Sequence, residues 1–535
     1  MNNPLLRPFT GNLQAEALLR FPCPQRLLVV TDADPGIGLD FGAGYFGLSE
    51  FVGILRAAGH TVTTAHRNGL GPNLGIAGRF NFATAAVPVT TANYDQVWLF
   101  GFNTVPLGST PGDNEQGVLA QFMRDGGGVF ATGDHERIGA GMGLSLPRVR
   151  QMRNWASVPM TDPQRHDTVV DPGQDGVKQF EDQADAVAQV LYPVFFSNGG
   201  PPDRAGTWAV HPVLRHPSGA VDALPDHAHE SECLAPTPGS GQFAGVEEWP
   251  APVGGGARIA PVVVAVSMSA GRFITDAGKP PVLPHSFGAI SAYDGDAANV
   301  GRIVCDATWH HFVNINLNGV GGGTDSAGNP RRGLYAGGQP TPAYLKIQAY
   351  FLNTVRWLAP KGRRRCWPWL QTAVVRFHPE LAELGLPLPH PCPWDPLLRI
   401  GRLAAAALDQ AWGPGTSADV VSGLVADSAT GPTLRRLLTV GAPPAAKGEG
   451  RGEDTGLVPL DDLRRVVLGA LVNLQARHLP GEPEALAKLM AGGHDKLAAE
   501  MVPEALAGAE QAIGDQMKAT LAATSRLLKL VMERR

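Results

Sequence analysis

The feature that most constrains the fold is an alternation of short apolar runs with helical periods over residues 26–136. "RLLVVTD" (26–32), "HTVTTAH" (60–66), "YDQVWLFGFNT" (94–104) and "GGVFATGDHE" (127–136) each read as a strand. The first is apolar at every position before its polar end, as expected for a strand buried on both faces. Between them, "YFGLSEFVGILRAAG" (45–59) and the segment around "NEQGVLAQFMRDGG" carry apolar residues at helical spacing and stop on glycine. Strand, helix, strand, helix, strand predicts an α/β fold built on a doubly wound parallel sheet.

That rhythm breaks over about 156–255, a stretch rich in Pro, Gly, Asp and His that reads as a large loop-rich insertion. Its one amphipathic helix is expected at "KQFEDQADAVAQVLY". Strands resume at 258–267, 287–295 and 301–312, and the helix 342–358 closes an α/β domain spanning 1–360. Beyond it the pattern becomes helical: a helical region over 361–440, a flexible linker "GAPPAAKGEGRGEDTG" at 441–456, and a mostly α-helical C-terminal module over 457–535. A chain of 535 residues exceeds one simple core, which agrees with such a division.

Charge and cysteine narrow the function classes. The formal charge of −5 and the lack of a recurring basic stripe predict no nucleic-acid partner. The compact basic run Lys361-Gly362-Arg363-Arg364-Arg365 reads as a solvated linker. No segment has the apolar length of a membrane span, and the start lacks the layout of a signal peptide, so no membrane partner is expected. The five cysteines are scattered without CxxC spacing, which predicts reduced thiols in a cytoplasmic protein.

In open α/β sheets ligands sit beyond the carboxyl ends of the strands. Those ends supply Asp32 and Asp34, then Phe102 and Asn103, then Asp134, His135 and Glu136, and last Asp306, Trp309, His310 and His311. If "CDATWHH" stays extended, Asp306, Thr308 and His310 share one face while Cys305, Trp309 and His311 share the other. The insertion adds "LPDHAHESEC", where His227, His229 and Glu230 are candidate ligands. Histidines and carboxylates without cysteine suit a divalent Zn, Fe or Mn ion. Asp134, Glu136, Asp306 and His310 are the candidate catalytic residues. Asp32, Asp34, Phe102, Asn103 and Trp309 are the candidate substrate-binding residues, and His135, His227, His229, Glu230 and His311 the candidate metal ligands.

Plainer readings stand beside these. Asp134 has the character of a helix N-cap, and Asp32 and Asp34 suit an Asp-Pro-Gly turn. "DPGIGLDFG" lacks the third glycine of a dinucleotide fingerprint, so no nucleotide cofactor is expected, and "GAGMG" reads as a loop. No Gly-x-Ser-x-Gly elbow is present.

The order "RLLVVTD", "YDQVWLFG", "FMRDGGGVFATGDHE" and late "GRIVCDATWHHF" resembles the class I glutamine amidotransferase-like superfamily, and within it the trehalose-utilisation (ThuA-like) branch. The resemblance covers roughly 25–155 and 256–358 and implies a flavodoxin-like sheet. In glutaminase members a cysteine follows the "GGxxxG" strand; here the turn reads Gly133-Asp134-His135, so thiol-based glutamine hydrolysis is not expected. The late histidine matches His310 or His311. The function expected from these residues is a metal-dependent hydrolase of a small polar or carbohydrate-like substrate. The competing expectation is a non-catalytic ligand-binding or scaffold protein whose helical C-terminal module binds a protein partner or a second copy.

Overall fold

The computed structural model describes residues 23–34, 36–68, 75–76, 78–134, 137–156, 188–197, 208–225, 231–269, 285–320, 332–364, 366–426 and 459–533. It is an α/β protein with an eight-stranded mixed sheet and a helical C-terminal region. The strands are β1 (Arg26–Thr31), β2 (Thr61–His66), β3 (Gln96–Phe100), β4 (Gly128–Thr132), β5 (Tyr192–Pro193), β6 (Val262–Ser269), β7 (His285–Tyr293) and β8 (Ile303–Asp306). Their order across the sheet is β2-β1-β3-β4-β8-β7-β6-β5.

The first five in that order are parallel, while β7, β6 and β5 are joined by antiparallel ladders. The expectation of a wholly parallel sheet is therefore corrected. Only the 3₁₀ turn Asp296–Ala298 separates β7 from β8, and β6 and β7 pair directly in opposite directions.

Alternation along each central strand explains why both faces are covered. Leu27, Val29, Trp98, Phe100 and Phe130 enter one core with α1 (Ser49–Ala57) and α3 (Pro342–Leu358). Leu28, Val30, Val97, Leu99, Val129 and Ala131 enter the other with α2 (Glu115–Arg124). Period-two side chains buried on both faces give the near-continuous apolar runs visible in the sequence. The first core is strongly aromatic: Trp98 stacks on Phe130 at 4.4 Å, and Phe51 meets Phe351 edge-on at 5.0 Å. At its amino end α2 is capped by Asn114, whose side chain accepts the Gly117 amide at 3.0 Å, a contact worth about 1 kcal/mol.

In the insertion, most of "KQFEDQADAVAQVLY" lies outside the described residues. Its described end is strand, not helix: Gln189–Val190 pairs with Ala223–Leu224, and Tyr192–Pro193 edges the main sheet. The expected linker 441–456 also lies outside the described residues.

The helices α4 (Cys366–Val375), α5 (Trp394–Trp412), α6 (Thr416–Ala426), α7 (Leu460–His478) and α8 (Pro483–Met532) share one apolar core running from Trp369 to Ile513. α5 and α7 approach so closely that a Cβ at Gly401 would fall 1.7 Å from the Arg465 carbonyl oxygen, leaving room for glycine alone.

The junction with the α/β part overturns two expectations. Cys23 and Cys366 form a disulfide with Cα atoms 5.8 Å apart, so the cysteines are not all reduced thiols; Cys233, Cys305 and Cys392 are free and buried. The basic run is not merely solvated either. Arg363 Nε lies 3.1 Å from Asp95 Oδ1, and Arg364 pairs with Asp296. No helix among the described residues is long and apolar enough to cross a membrane.

Candidate active site

The strand order reverses between β1 and β3, since the chain leaves β1 towards β2 on one side and returns to β3 on the other. Such a reversal opens a crevice at the carboxyl ends. Two clusters form there, one on β1 and β3, the other on β4 and β8.

The β4–β8 cluster is assembled by a turn that the sequence reading does not anticipate. β8 stops at Asp306, and Trp309–His311 is a single 3₁₀ turn capped by Thr308. Thr308 Oγ1 accepts the His310 amide at 3.1 Å and donates its own proton to Asp134 Oδ1 at 2.8 Å. The turn brings His310 Nε2 to 3.4 Å from Asp134 Oδ2. Asp134 is 1% exposed, while the His310 side chain keeps 16% of its surface open. The histidine ring stacks on Trp309 at 4.2 Å, and Phe46 meets both rings edge-on. Asn316 Nδ2 donates to the His310 carbonyl at 3.0 Å, fixing the backbone below the ring.

The same turn sends His311 elsewhere. Its Nδ1 lies 2.7 Å from Asp306 Oδ1, which also accepts the Thr308 amide, while Asp306 Oδ2 accepts the Tyr350 hydroxyl at 2.7 Å. Asp306, His311 and Tyr350 are all buried. Burial beside Asp306 pushes the Tyr350 phenol well above its ordinary range, so Tyr350 is a permanent donor. The extended-strand expectation paired Asp306 with His310; the turn instead pairs each histidine with its own carboxylate.

Arg153 lies beneath both carboxylates. Its Nη2 donates to the Asp134 carbonyl at 2.7 Å and the Ala307 carbonyl at 2.6 Å, and its guanidinium lies over Trp155. Burial is the main cause lowering its pKa, opposed by nearby groups that include Asp134 and Asp306. Cys305 is also buried, with its thiol pushed up to about 12, which removes it as a nucleophile at neutral pH.

In the β1–β3 cluster Asp32 is fully buried and acts as a clasp. Its Oδ1 accepts the Phe102 amide at 2.6 Å and the Asn103 amide at 3.1 Å. Burial is the main cause raising the Asp32 carboxyl, opposed by those amides and by Arg67, whose Nη1 is 3.9 Å from Oδ2. Asn103 Nδ2 returns to the Asp32 carbonyl and reaches the exposed Asp34 at 3.2 Å. Phe102 is half-buried and Trp309 is buried, so the first lines the crevice and the second backs His310.

Gly139 ties the clusters together: it donates its amide to the Phe102 carbonyl at 3.1 Å and carries φ +88°. A Cβ on it would fall 2.8 Å from the Gly133 Cα, so it is a close backbone contact, and the rest of "GAGMG", expected as a loop, is the one-turn helix Ala140–Gly143.

The candidate ligands His135, His227, His229 and Glu230 and the candidate catalytic residue Glu136 lie outside the described residues. Among the described residues no group of three His, Cys, Asp or Glu side chains could hold a metal ion. Arg153, Tyr350, Phe46 and Asn316 are site residues that the sequence does not point to, while Thr308 stands in it among the strand-end residues on the Asp306 face without a role of its own. No family model matches this chain, and neither a curated protein nor a solved structure matches it.

Proposed function

We propose that this chain is a hydrolase of a small polar or carbohydrate-like substrate, with Asp134 and His310 as its acid–base pair. The contact of the buried Asp134 carboxylate with the part-exposed His310 ring, reinforced by Thr308, carries the proposal. In this reading Asp134 accepts Nε2–H, sets the tautomer and stabilises the imidazolium that forms. The His310 ring takes a proton from water, which attacks the scissile bond, and returns that proton to the leaving group. Asp34 and Asn103 bind polar groups of the substrate. Asp32, Asp306, His311 and Tyr350 act as positioning residues beneath the crevice.

The proposal extends to class. The five parallel strands, in spatial order β2-β1-β3-β4-β8, support a flavodoxin-like, class I glutamine amidotransferase-like sheet of the ThuA-like type without its cysteine. The metal-dependent form of the proposal adds a divalent Zn, Fe or Mn ion on His135, His227, His229 and Glu230, which would supply a more acidic water when bound; the fifth expected ligand, His311, is instead turned to Asp306. The small-molecule partner and the cytoplasmic setting belong to the same proposal.

A scaffold reading is favoured by one observation: a helical region with its own core is fastened to the α/β part by a disulfide and ion pairs. Turnover separates the two. The purified chain is screened against activated small esters, amides and glycosides, with chelator and with Zn, Fe or Mn added back. Hydrolysis lost in Asp134→Asn and His310→Ala supports the enzyme, and loss in chelator selects its metal-dependent form. Hydrolysis unaffected by either substitution, or no turnover of any class, overturns it in favour of the scaffold.

A further inference from the structure

The last part of α8 is built unlike the rest of the helical region. Up to Ile513 its apolar residues join the shared core, with Met517 packed at the edge. From Leu521 to Leu530 every residue is exposed, and so is Met532, including four leucines. Leu528, Leu530 and Met532 keep 58%, 56% and 75% of their surface open.

This segment is amphipathic by position. Met517, Leu521, Leu528 and Met532 recur at spacings of four and seven and fall on one stripe of the helix. Lys518, Arg526 and Lys529 lie on the adjoining face, about 60–140° round the axis from Leu521. By sequence, residues 516–535 carry five basic residues (Lys518, Arg526, Lys529, Arg534, Arg535) and one acid (Glu533), a net +4. The chain as a whole carries −5, so the remainder carries −9. An exposed leucine stripe flanked by concentrated positive charge, on an otherwise acidic protein, is the design of a helix that lies in an interface between water and anionic lipid.

A second copy is the competing occupant, and the charges disfavour it. Antiparallel pairing along this stripe sets the Lys518–Lys529 edge of one copy against the same edge of the other, where like charges repel.

The geometry points to residues 517–533 as a surface anchor that docks the protein on an anionic phospholipid bilayer, its leucine stripe entering the acyl boundary and its lysines meeting the headgroups. The sequence expectation of no membrane partner rested on the lack of a spanning segment, which an interfacial helix does not require.

The full chain is tested by co-sedimentation with vesicles of phosphatidylcholine alone and with roughly one third phosphatidylglycerol. Binding is expected to the anionic vesicles only, weakened by salt, with the binding constant falling about fivefold for each of Lys518, Arg526 and Lys529 replaced by Gln. Leu521→Asp with Leu528→Asp abolishes binding while leaving the thermal transition unchanged, because both side chains are already exposed. Equal binding to both vesicle types, binding retained by the leucine variant, or no binding overturns the inference. So does light scattering that shows a wild-type dimer turned into a monomer by the leucine variant, since the occupant is then a second copy.

Discussion

Thr308 donates its hydroxyl to Asp134 Oδ1 at 2.8 Å while the same oxygen accepts the amide of His310 at 3.1 Å. One side chain therefore fixes both the carboxylate and the turn that presents the histidine. Thr308→Val keeps the shape but leaves Asp134 without that donor. Hydrolysis is expected to fall about tenfold or more, with the loss in kcat rather than KM, and Thr308→Ser restores it.

Gly139 holds φ +88° with its Cα pressed against the neighbouring glycine backbones. Gly139→Ala adds both a strained conformation and a clash with backbone that cannot swing aside. A loss of about 2–4 kcal/mol in urea unfolding is expected, with activity falling in whatever fraction remains folded. Gly126, with open space around its Cβ, is the control with φ strain alone.

Arg153 is a buried cation whose donors end on the carbonyls of Asp134 and Ala307. Arg153→Met leaves those carbonyls without donors and two buried acids without their nearby charge. Equilibrium unfolding should show a loss of about 3–5 kcal/mol.

His60 is buried and accepts the Gln25 amide on Nδ1 at 3.2 Å; burial, aided by Arg356, lowers its pKa from 6.5 to about 4. A depressed folded-state pKa gives stability that is present above the unfolded value of 6.5 and lost as pH falls towards 4. His60→Asn keeps an acceptor for Gln25 without a titrating ring. Its stability measured by urea titration should decline less steeply between those two pH values than the wild type's.

Asp32 has the opposite sign. Its folded-state carboxyl is raised by burial, so its contribution is complete below the unfolded pKa and lost as pH rises through the folded one. Asp32→Asn keeps an oxygen for the Phe102 and Asn103 amides. It should match or exceed the wild type in thermal stability at neutral pH; a large loss there would show that the charge itself holds the clasp.

The alternation of apolar runs made β1 to β4 and their two helices legible, because strands buried on both faces leave no polar break to misread. The antiparallel edge was not legible, since β6 and β7 look like any apolar run and strand direction leaves no mark on that pattern. Reading the strand ends placed Asp32, Phe102, Asn103, Asp134, Asp306, His310 and His311 along one edge of the sheet. The partners within that set depended on a one-turn change of direction at Thr308, which period-two reasoning cannot see. Arg153 and Tyr350 left no signal: one follows a short helix, and the other lies on an apolar face of α3. The Cys23–Cys366 pairing spans residues too distant for spacing to reveal.

The central claim is that Asp134 and His310 act as one unit, and a double-mutant cycle on kcat/KM measures this directly. With a substrate the chain hydrolyses, Asp134→Asn and His310→Ala should each lose about 10²–10⁴-fold, and the double variant should lose little more than the worse single one. Losses that multiply, or a His310→Ala enzyme as fast as wild type, would contradict the account.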